Sequence, residues 1–332
     1  MHHQLGRMAV LPDQDKRFPQ VIAHRGYKAA FPENTMAAFR GAVDVGVDGI
    51  ETDLRLSRDG VVVLSHDASL VRCFGRNARV DGLDWEELSS LRTVRGEPKQ
   101  SMARLVDLLS YLRETEAEEV WVLLDIKKDG NYAPGELFNA LKRDLASTPV
   151  RSGSRTWEER VKLGVWDEEW IAACTRYLPD FPIVLLTPSP AFASSMLEQS
   201  SAKSLDLHFG LLNYTFAFGH RDRAFLKRAR SLKTKEEKPM VFSWSDNDDM
   251  WMARSICNGV DGVITDDPGR FKELCSQWDD PWVRKQAETW TLWERIFCVG
   301  ISMNVWIMEV TSWVMSWISP TDNGLMNVGV YK

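Results

Sequence analysis

Two histidines, three carboxylates and two cations stand in this chain at spacings that suit phosphate chemistry. His24-Arg25-Gly26 follows a short apolar run, and Glu33-Asn34-Thr35, Glu51-Thr52-Asp53, His66-Asp67 and Asp125-Ile126-Lys127 come after it in that order. Side chains alternate along an extended segment, so Glu51 and Asp53 share one face, as do Asp125 and Lys127. Three converging carboxylates with no thiolate beside them suit a hard divalent cation, Mg²⁺ or Ca²⁺, better than zinc. Left unneutralised they would repel one another and push their pKa values up. Arg25 and Lys127 bring positive charge that can hold a phosphate. Histidines flanking such a site can act as acid and base near neutral pH, while metal and cations stabilise charge on the phosphorus oxygens.

These residues need a scaffold that gathers strand ends. Nine short β-branched, apolar runs read as strands: Val21–His24, Val47–Leu54, Val61–His66, Val120–Lys127, Val161–Trp166, Pro182–Thr187, Leu205–Leu212, Met240–Trp244 and Val260–Thr265. Between most of them lie stretches of helical periodicity, such as Thr35–Val45, Ala103–Glu114 and Asp248–Cys257. That alternation predicts a parallel sheet, closed as a barrel or open and doubly wound. The second and third runs are joined only by Ser57-Arg58-Asp59-Gly60, which can link antiparallel neighbours but not parallel ones. Reading Val47–His66 as a hairpin leaves eight strands for a closed (β/α)₈ TIM-type barrel. Every candidate residue then sits at or near a strand's C-terminal end, the active face of such a barrel. A turn centred on Arg58-Asp59 would set His66 opposite Glu51, and one centred on Asp59-Gly60 would set it opposite Asp53. Residues 68–119 break the rhythm and read as a short insertion.

The run HRGYKAAFPENTMAAF, followed by GVDGIETDLRLSRDGVVVLSHDASLVR, resembles the signature of glycerophosphodiester phosphodiesterases. The resemblance continues through VWVLLDIK, VFSWSDND and GVDGVITDDP and covers roughly residues 20–275. It implies His24 and His66 as the acid–base pair, Glu51 and Asp53 with Asp125 as metal ligands, and Arg25 and Lys127 as phosphate contacts. The family usually has Glu where this chain has Asp125. The resemblance also implies attack by a substrate hydroxyl on phosphorus to form a cyclic phosphate that water then opens; direct attack by water is the alternative.

Composition bounds the setting. An apolar fraction of 44% and a charged fraction of 27% are those of a globular chain able to bury a large core. The net charge of −6 shows no basic footprint for nucleic acid. Cys73, Cys174, Cys257, Cys275 and Cys298 are scattered without a C-x-x-C pair and read as buried free thiols. The first twenty residues hold no apolar run of signal-peptide length, so the expectation is an intracellular protein. The domain reading is an extension over 1–19, a barrel over 20–278 and a Trp-rich tail over 279–332. Between Ile296 and Ile318 the only charged residue is Glu309, and Trp290, Trp293, Trp306, Trp313 and Trp317 crowd the region. That density suits a membrane interface, through residues 290–318, with the barrel left in the cytosol at an organelle membrane or lipid droplet. The bland alternative is a terminal helix packed on the barrel.

This layout resembles the fungal phosphatidylglycerol-specific phospholipases C. That implies hydrolysis of phosphatidylglycerol to diacylglycerol and glycerol phosphate. The alternatives are a soluble enzyme that releases glycerol 3-phosphate from deacylated glycerophosphodiesters, and a catalytically silent lipid-binding barrel. Trp244 could wall the substrate pocket or pack in the core. Asn213 reads as pocket or loop. Asp266 and Asp267, before Pro268, read as caps of the last helix. Lys128, Asp129 and the Lys233–Lys238 run read as solvated surface.

Overall fold

The computed structural model of the chain describes residues 18–203, 205–212, 220–232 and 238–281, together with 283, 285, 299–300, 303, 307 and 311. Nine strands are formed: β1 (Gln20–His24), β2 (Gly49–Leu56), β3 (Val62–Leu64), β4 (Trp121–Ile126), β5 (Val161–Val165), β6 (Ile183–Thr187), β7 (Leu207–Leu212), β8 (Val241–Trp244) and β9 (Gly262–Thr265). The helices are α1 (Met36–Asp44), α2 (Val71–Phe74), α3 (Trp85–Ser90), α4 (Leu105–Leu112), α5 (Pro134–Ser147), α6 (Trp157–Arg160), α7 (Glu168–Tyr177), α8 (Pro190–Lys203), α9 (His220–Ser231), α10 (Asp249–Asn258) and α11 (Pro268–Ser276). Eight strands are parallel neighbours around the sheet, and pairing of β1 with both β9 and β2 closes it into a barrel. The ninth, β3, is antiparallel to β2 and carries that strand's free edge beyond the point where β1 ends.

Two apolar layers hold the barrel. Between sheet and helices lies a large core that includes Phe39, Leu54, Leu108, Phe138 and Phe209. Inside the barrel a second cluster joins Ile22, Trp121, Leu123, Val184, Leu186, Phe242 and Ile264. Glycines make room for its largest rings. A Cβ on Gly49 would fall 2.6 Å from Trp121, and one on Gly262 would fall 2.8 Å from Ile22 and 2.9 Å from Phe242. Continuing each inner face by two residues reaches His24, Asp125, Trp244 and Asp266. Period-two alternation therefore places polar groups directly above an apolar floor.

The hairpin takes neither expected register. Leu54 pairs with Leu64 and Leu56 with Val62, leaving a three-residue loop, Arg58-Asp59-Gly60. Ser57 N–H donates to Val61 O at 3.0 Å, and Gly60 closes the loop at φ +78°. A left-handed residue at that point is the signature of the three-residue bulged turn, and only glycine enters it freely. Carried forward, this register would set position 66 opposite Thr52, on the face away from Glu51 and Asp53. The strand stops first. Ser65 N–H donates to Asp53 O at 3.0 Å, and a bend at His66 returns the imidazole to the barrel mouth.

The insertion is shorter than expected. Residues up to 104 form a lobe with its own small core of Val63, Leu70, Val80, Leu88 and Met102. The helix after it, α4, is a barrel helix packed against α1, α5 and β3. Of the described cysteines, Cys174 is buried, while Cys73, Cys257 and Cys275 are only half-buried, and Cys298 lies outside the described residues. No helix among the described residues is long and apolar enough to cross a membrane.

His208 gives the fold an acid-sensitive point. It is 2% exposed on β7, and its Nδ1 accepts the Met240 N–H at 3.0 Å. Burial, with help from the Lys162 charge, pushes its pKa down to about 3. The unfolded chain binds that proton near 6.5. Stability is therefore complete above pH 6.5 and erodes as pH falls toward 3, by a limit on the order of 3–5 kcal/mol. In urea titrations between pH 7 and 3, His208→Asn, whose amide oxygen can still accept from Met240, should flatten that limb. Identical pH profiles for variant and wild type would remove His208 from the account.

Candidate active site

The loop after β1 is the first piece of the site, and its backbone is constrained. Arg25 and Asn34 are both left-handed, at φ +56° and +55°, and Asn34 N–H donates to Arg25 O at 3.0 Å. Such conformations cost free energy in non-glycine residues and persist where surroundings over-determine them. Here the surroundings are polar contacts to β2. Asn34 Nδ2 donates to Asp53 at 2.7 Å, its Oδ1 accepts from Thr52 Oγ1 at 2.7 Å, and Arg25 N–H donates to Glu51 at 2.9 Å. Gly26 lies close under α1, where a Cβ would meet Ala38 at 2.8 Å. Thr35 caps α1 by accepting from Ala38 N–H, and its own hydroxyl donates to Pro32 O at 2.6 Å.

Glu51, Asp53 and Asp125 are all buried, and each offers a carboxylate oxygen within 4.8 Å of the others. Lys127 Nζ lies 2.9 Å from Asp53 and 2.6 Å from Asp125, and Arg25 Nε lies 3.4 Å from Asp53. Glu51 and Asp53 shift in opposite directions, contrary to the expectation that mutual repulsion raises every carboxylate of the cluster. Burial pushes Glu51 well above the usual range, and repulsion from Asp53 and Asp125 adds to it. Burial would raise Asp53 too, but the Lys127 ammonium and Arg25 guanidinium reverse that and hold it ionised far below the usual range. Lys127 is raised in turn by Asp125 and Asp53, which outweigh the cost of its burial. An all-oxygen donor set with one carboxylate still short of positive charge fits a hard divalent cation.

Both histidines stand at this cluster with the same end forward. His24 Nδ1 lies 2.5 Å from Asp266 Oδ1, and its Nε2 lies 3.9 Å from Glu51. His66 Nδ1 lies 2.7 Å from Asp67 Oδ1. Asp266 and Asp67 are each held down at about 2: burial opposes ionisation, but hydrogen bonds from the paired histidine and from Lys28 or Arg72 prevail. A carboxylate at such a distance takes the proton on Nδ1 of the neutral ring, which leaves each Nε2 its lone pair, and that of His24 faces Glu51. Burial lowers the pKa of both imidazoles, so both are neutral at pH 7.

All eight sequence-derived residues therefore meet at one barrel mouth, with Trp244 at its wall. Trp244 belongs to the top of the inner apolar cluster and meets Trp166 edge-on at 5.4 Å. Four partners went unread in the sequence. Asp266 is the orienting partner of His24, while only Asp267 caps α11, accepting from Arg270 N–H at 2.9 Å. Trp166 Nε1 donates to Asp125 Oδ1 at 2.7 Å, and its ring lies under Lys127 at 5.7 Å. Glu33 accepts from Arg25 at 2.9 Å, and Arg72 of α2 donates to both Glu33 and Asp67. The positions of Asp266 and Trp166, immediately after β9 and β5 on the inward parity, were the available signal. Asp129 is exposed, as expected, and also pairs with the buried Arg55 at 2.7 Å. Asn213, most of the Lys233–Lys238 run and most of residues 290–318 lie outside the described residues.

Residues 24–270 match the glycerophosphoryl diester phosphodiesterase family. A human protein named lysophospholipase D is 45% identical over 284 residues, 76% of this chain and 85% of its own length. A glycerophosphodiester phosphodiesterase of Caldanaerobacter subterraneus is 28% identical over 253 residues, 75% of this chain and 94% of its own. Among solved structures, an Oleispira antarctica phosphodiesterase in complex with the product sn-glycerol-3-phosphate superposes with a TM-score of 0.61. It is 19% identical, and the match covers 77% of this chain and 96% of that one.

Two variants test the electrostatics. A carboxyl held above its ordinary value costs the fold stability as pH rises past about 4.5. Glu51→Gln should therefore raise the Tm of the metal-free protein, with the gap to wild type widening from pH 4.5 to 7, and should abolish the further rise that Mg²⁺ or Ca²⁺ gives wild type. A lower Tm in the variant would contradict the charge assignment. Trp166→Phe removes one hydrogen bond behind Asp125 and should weaken cation binding by about 10–100-fold in calorimetry; unchanged affinity would leave Trp166 with packing alone.

Proposed function

The chain belongs to the glycerophosphoryl diester phosphodiesterase family and is a phosphoric diester hydrolase, and from that premise we propose that it cleaves glycerophosphodiesters, releasing glycerol 3-phosphate and an alcohol, at the mouth formed by His24, His66, Glu51, Asp53 and Asp125. The observation that carries this reading is the pair of neutral imidazoles. Each has its Nδ1–H committed to an ionised aspartate, and each offers Nε2 beside a buried acidic triad. Glu51, Asp53 and Asp125 would hold a divalent cation, which when bound supplies positive charge to the phosphate oxygens.

The protein's own groups account for the rest of the chemistry. Arg25 and Lys127 orient the phosphate from within the cluster. His24, the deeper histidine, takes the proton from the hydroxyl neighbouring the phosphate as its oxygen bonds to phosphorus. His66, at 37% side-chain exposure against 15% for His24, first takes a proton from solvent on Nε2 and, as the imidazolium, passes that proton to the departing alcohol oxygen as its bond to phosphorus breaks. Water then opens the cyclic phosphate with the roles reversed. Trp244 and Trp166 wall the substrate's glycerol arm.

The second reading is the phosphatidylglycerol phospholipase C activity, with the tail at a membrane. Val299, Met303 and Ile307, each in helical conformation, are 47%, 59% and 47% exposed, apolar side chains that suit a lipid interface. The human relative's name, lysophospholipase D, fits a substrate that carries an acyl chain.

Purified protein offered glycerophosphoglycerol, a lysophospholipid and phosphatidylglycerol vesicles side by side should turn over the water-soluble diester. That activity should vanish with chelator and return with Mg²⁺ or Ca²⁺. Preference for intact phosphatidylglycerol would transfer the conclusion to the second reading. Turnover indifferent to chelation would overturn the metal reading.

A further inference from the structure

We infer that Arg72, contributed by the insertion, is the positioning residue that sets His66 and Arg25 together, an inference that rests on the site reading above. Its guanidinium spends all three of its nitrogens on two carboxylates. Nη1 and Nη2 donate to the two oxygens of Glu33, each at 2.7 Å, and Nε donates to Asp67 Oδ2 at 2.5 Å. Each carboxylate then holds one residue of the site. Asp67 Oδ1 takes His66 Nδ1 at 2.7 Å, and Glu33 Oε1 takes Arg25 Nη1 at 2.9 Å. A single planar fork thus joins two chains of contact, one ending on an acid–base imidazole and the other on a phosphate-binding guanidinium.

The geometry requires arginine. A lysine ammonium cannot span a bidentate carboxylate and a second acceptor in one plane. The four-residue α2 that carries Arg72 has no N-terminal side-chain cap, so its position comes from the lobe around it. Leu70 N–H donates to Ala78 O and Val94 N–H to Cys73 O, each at 2.9 Å, on either side of Arg72. Leu70 is fully buried in the lobe's core with Val80, Leu88 and Met102. The insertion's packing is thereby transmitted to the catalytic mouth through one side chain. Among the described residues Arg72 bonds Glu33 and Asp67 and not Glu51, Asp53 or Asp125, so its effect should fall on chemistry rather than on cation binding.

Arg72→Ala should lower kcat by about 10–100-fold, the cost typical of losing an orienting partner behind an active group. KM should change far less, and calorimetric affinity for Mg²⁺ or Ca²⁺ should stay at the wild-type value. Arg72→Lys should not recover the loss, whereas guanidinium ion at sub-denaturing concentration should partly restore Arg72→Ala. Because the chain of contact runs through Asp67, adding Asp67→Asn to Arg72→Ala should cost less than the two single effects combined. The inference fails if Arg72→Ala keeps wild-type kcat. It fails equally if the loss tracks a fall in Tm or cation affinity and guanidinium does not reverse it. His66→Ala separates the two levels: full turnover in that variant overturns the site reading itself, while loss there with normal kcat in Arg72→Ala overturns only the role of Arg72.

Discussion

An ionised carboxylate with almost no access to water is the constraint around which this barrel mouth is arranged. Asp53 is 1% exposed, and isolated burial of its charge would cost several kcal/mol. Groups from three segments converge on it: Lys127 Nζ and Asn34 Nδ2 donate to its carboxylate, the Arg25 guanidinium pairs with it at 3.4 Å, and the Ser65 N–H just after β3 binds its backbone carbonyl. Satisfying Asp53 therefore dictates where the loop after β1 lies and how far Lys127 reaches across from β4. It also dictates where the chain leaves β3. The left-handed backbones of Arg25 and Asn34 are a local cost of that arrangement, held in place because the contacts they make have no other source. Lys127 and Arg25 hold Asp53 ionised, while burial and repulsion from Asp53 and Asp125 outweigh the same two cations at Glu51 and keep it above the usual range. That imbalance makes the cluster receptive to one more cation.

The barrel supplies this arrangement through the parity of its strands. On each inner face a residue of the apolar floor is followed, two positions on, by a group at the mouth. Ile22 precedes His24, Leu123 precedes Asp125, Phe242 precedes Trp244 and Ile264 precedes Asp266. A one-residue slip in any strand would exchange the polar group for one facing the helices, so the apolar floor and the site enforce the same register. Glycines at 49 and 262 let Trp121 and Phe242 fill the barrel below, which excludes water beneath the carboxylates and strengthens every electrostatic contact above them.

Much of this could be read from residue order, because strand ends in a parallel barrel are necessarily neighbours. The nine strands, the hairpin that reduces them to eight in the ring, and the convergence of His24, Glu51, Asp53, His66, Asp125 and Lys127 all follow from alternation and loop length. What escaped depends on choices made off the strands. The hairpin register turned on whether Gly60 closes a two- or a three-residue loop, and both are consistent with Ser-Arg-Asp-Gly. Asp266 and Asp267 are adjacent acids before a proline. One caps α11 and the other orients His24, and nothing local separates them until closure brings β9 beside β1. Trp166 and Arg72 act through hydrogen bonds to residues 41, 39 and 5 positions away, distances that carry no periodic signal. Loop side chains that orient other side chains leave no pattern in a single sequence.

In the proposed reaction the two histidines are prepared by the same physical device. His24 leans on Asp266 at the β1–β9 seam, and His66 leans on Asp67 in the loop beyond β3; in both, an ionised aspartate fixes the proton on Nδ1 and turns Nε2 inward. A reaction through a cyclic phosphate asks each imidazole to do both jobs. The base of the first step must return its proton in the second, and the acid must recover one from water. Two histidines, each with Nδ1–H held by an aspartate, can meet that demand by gaining and losing a proton at Nε2 alone, the base starting each step neutral and the acid starting it protonated. They differ in what stands behind the aspartate. Asp266 is steadied by Lys28 from the loop after β1, so His24 is set by the barrel itself. Asp67 is steadied by Arg72, so His66 is set by the insertion. In the proposed pair, one histidine is thus held by the scaffold and the other by a lobe that shares Val63 of β3 with its core.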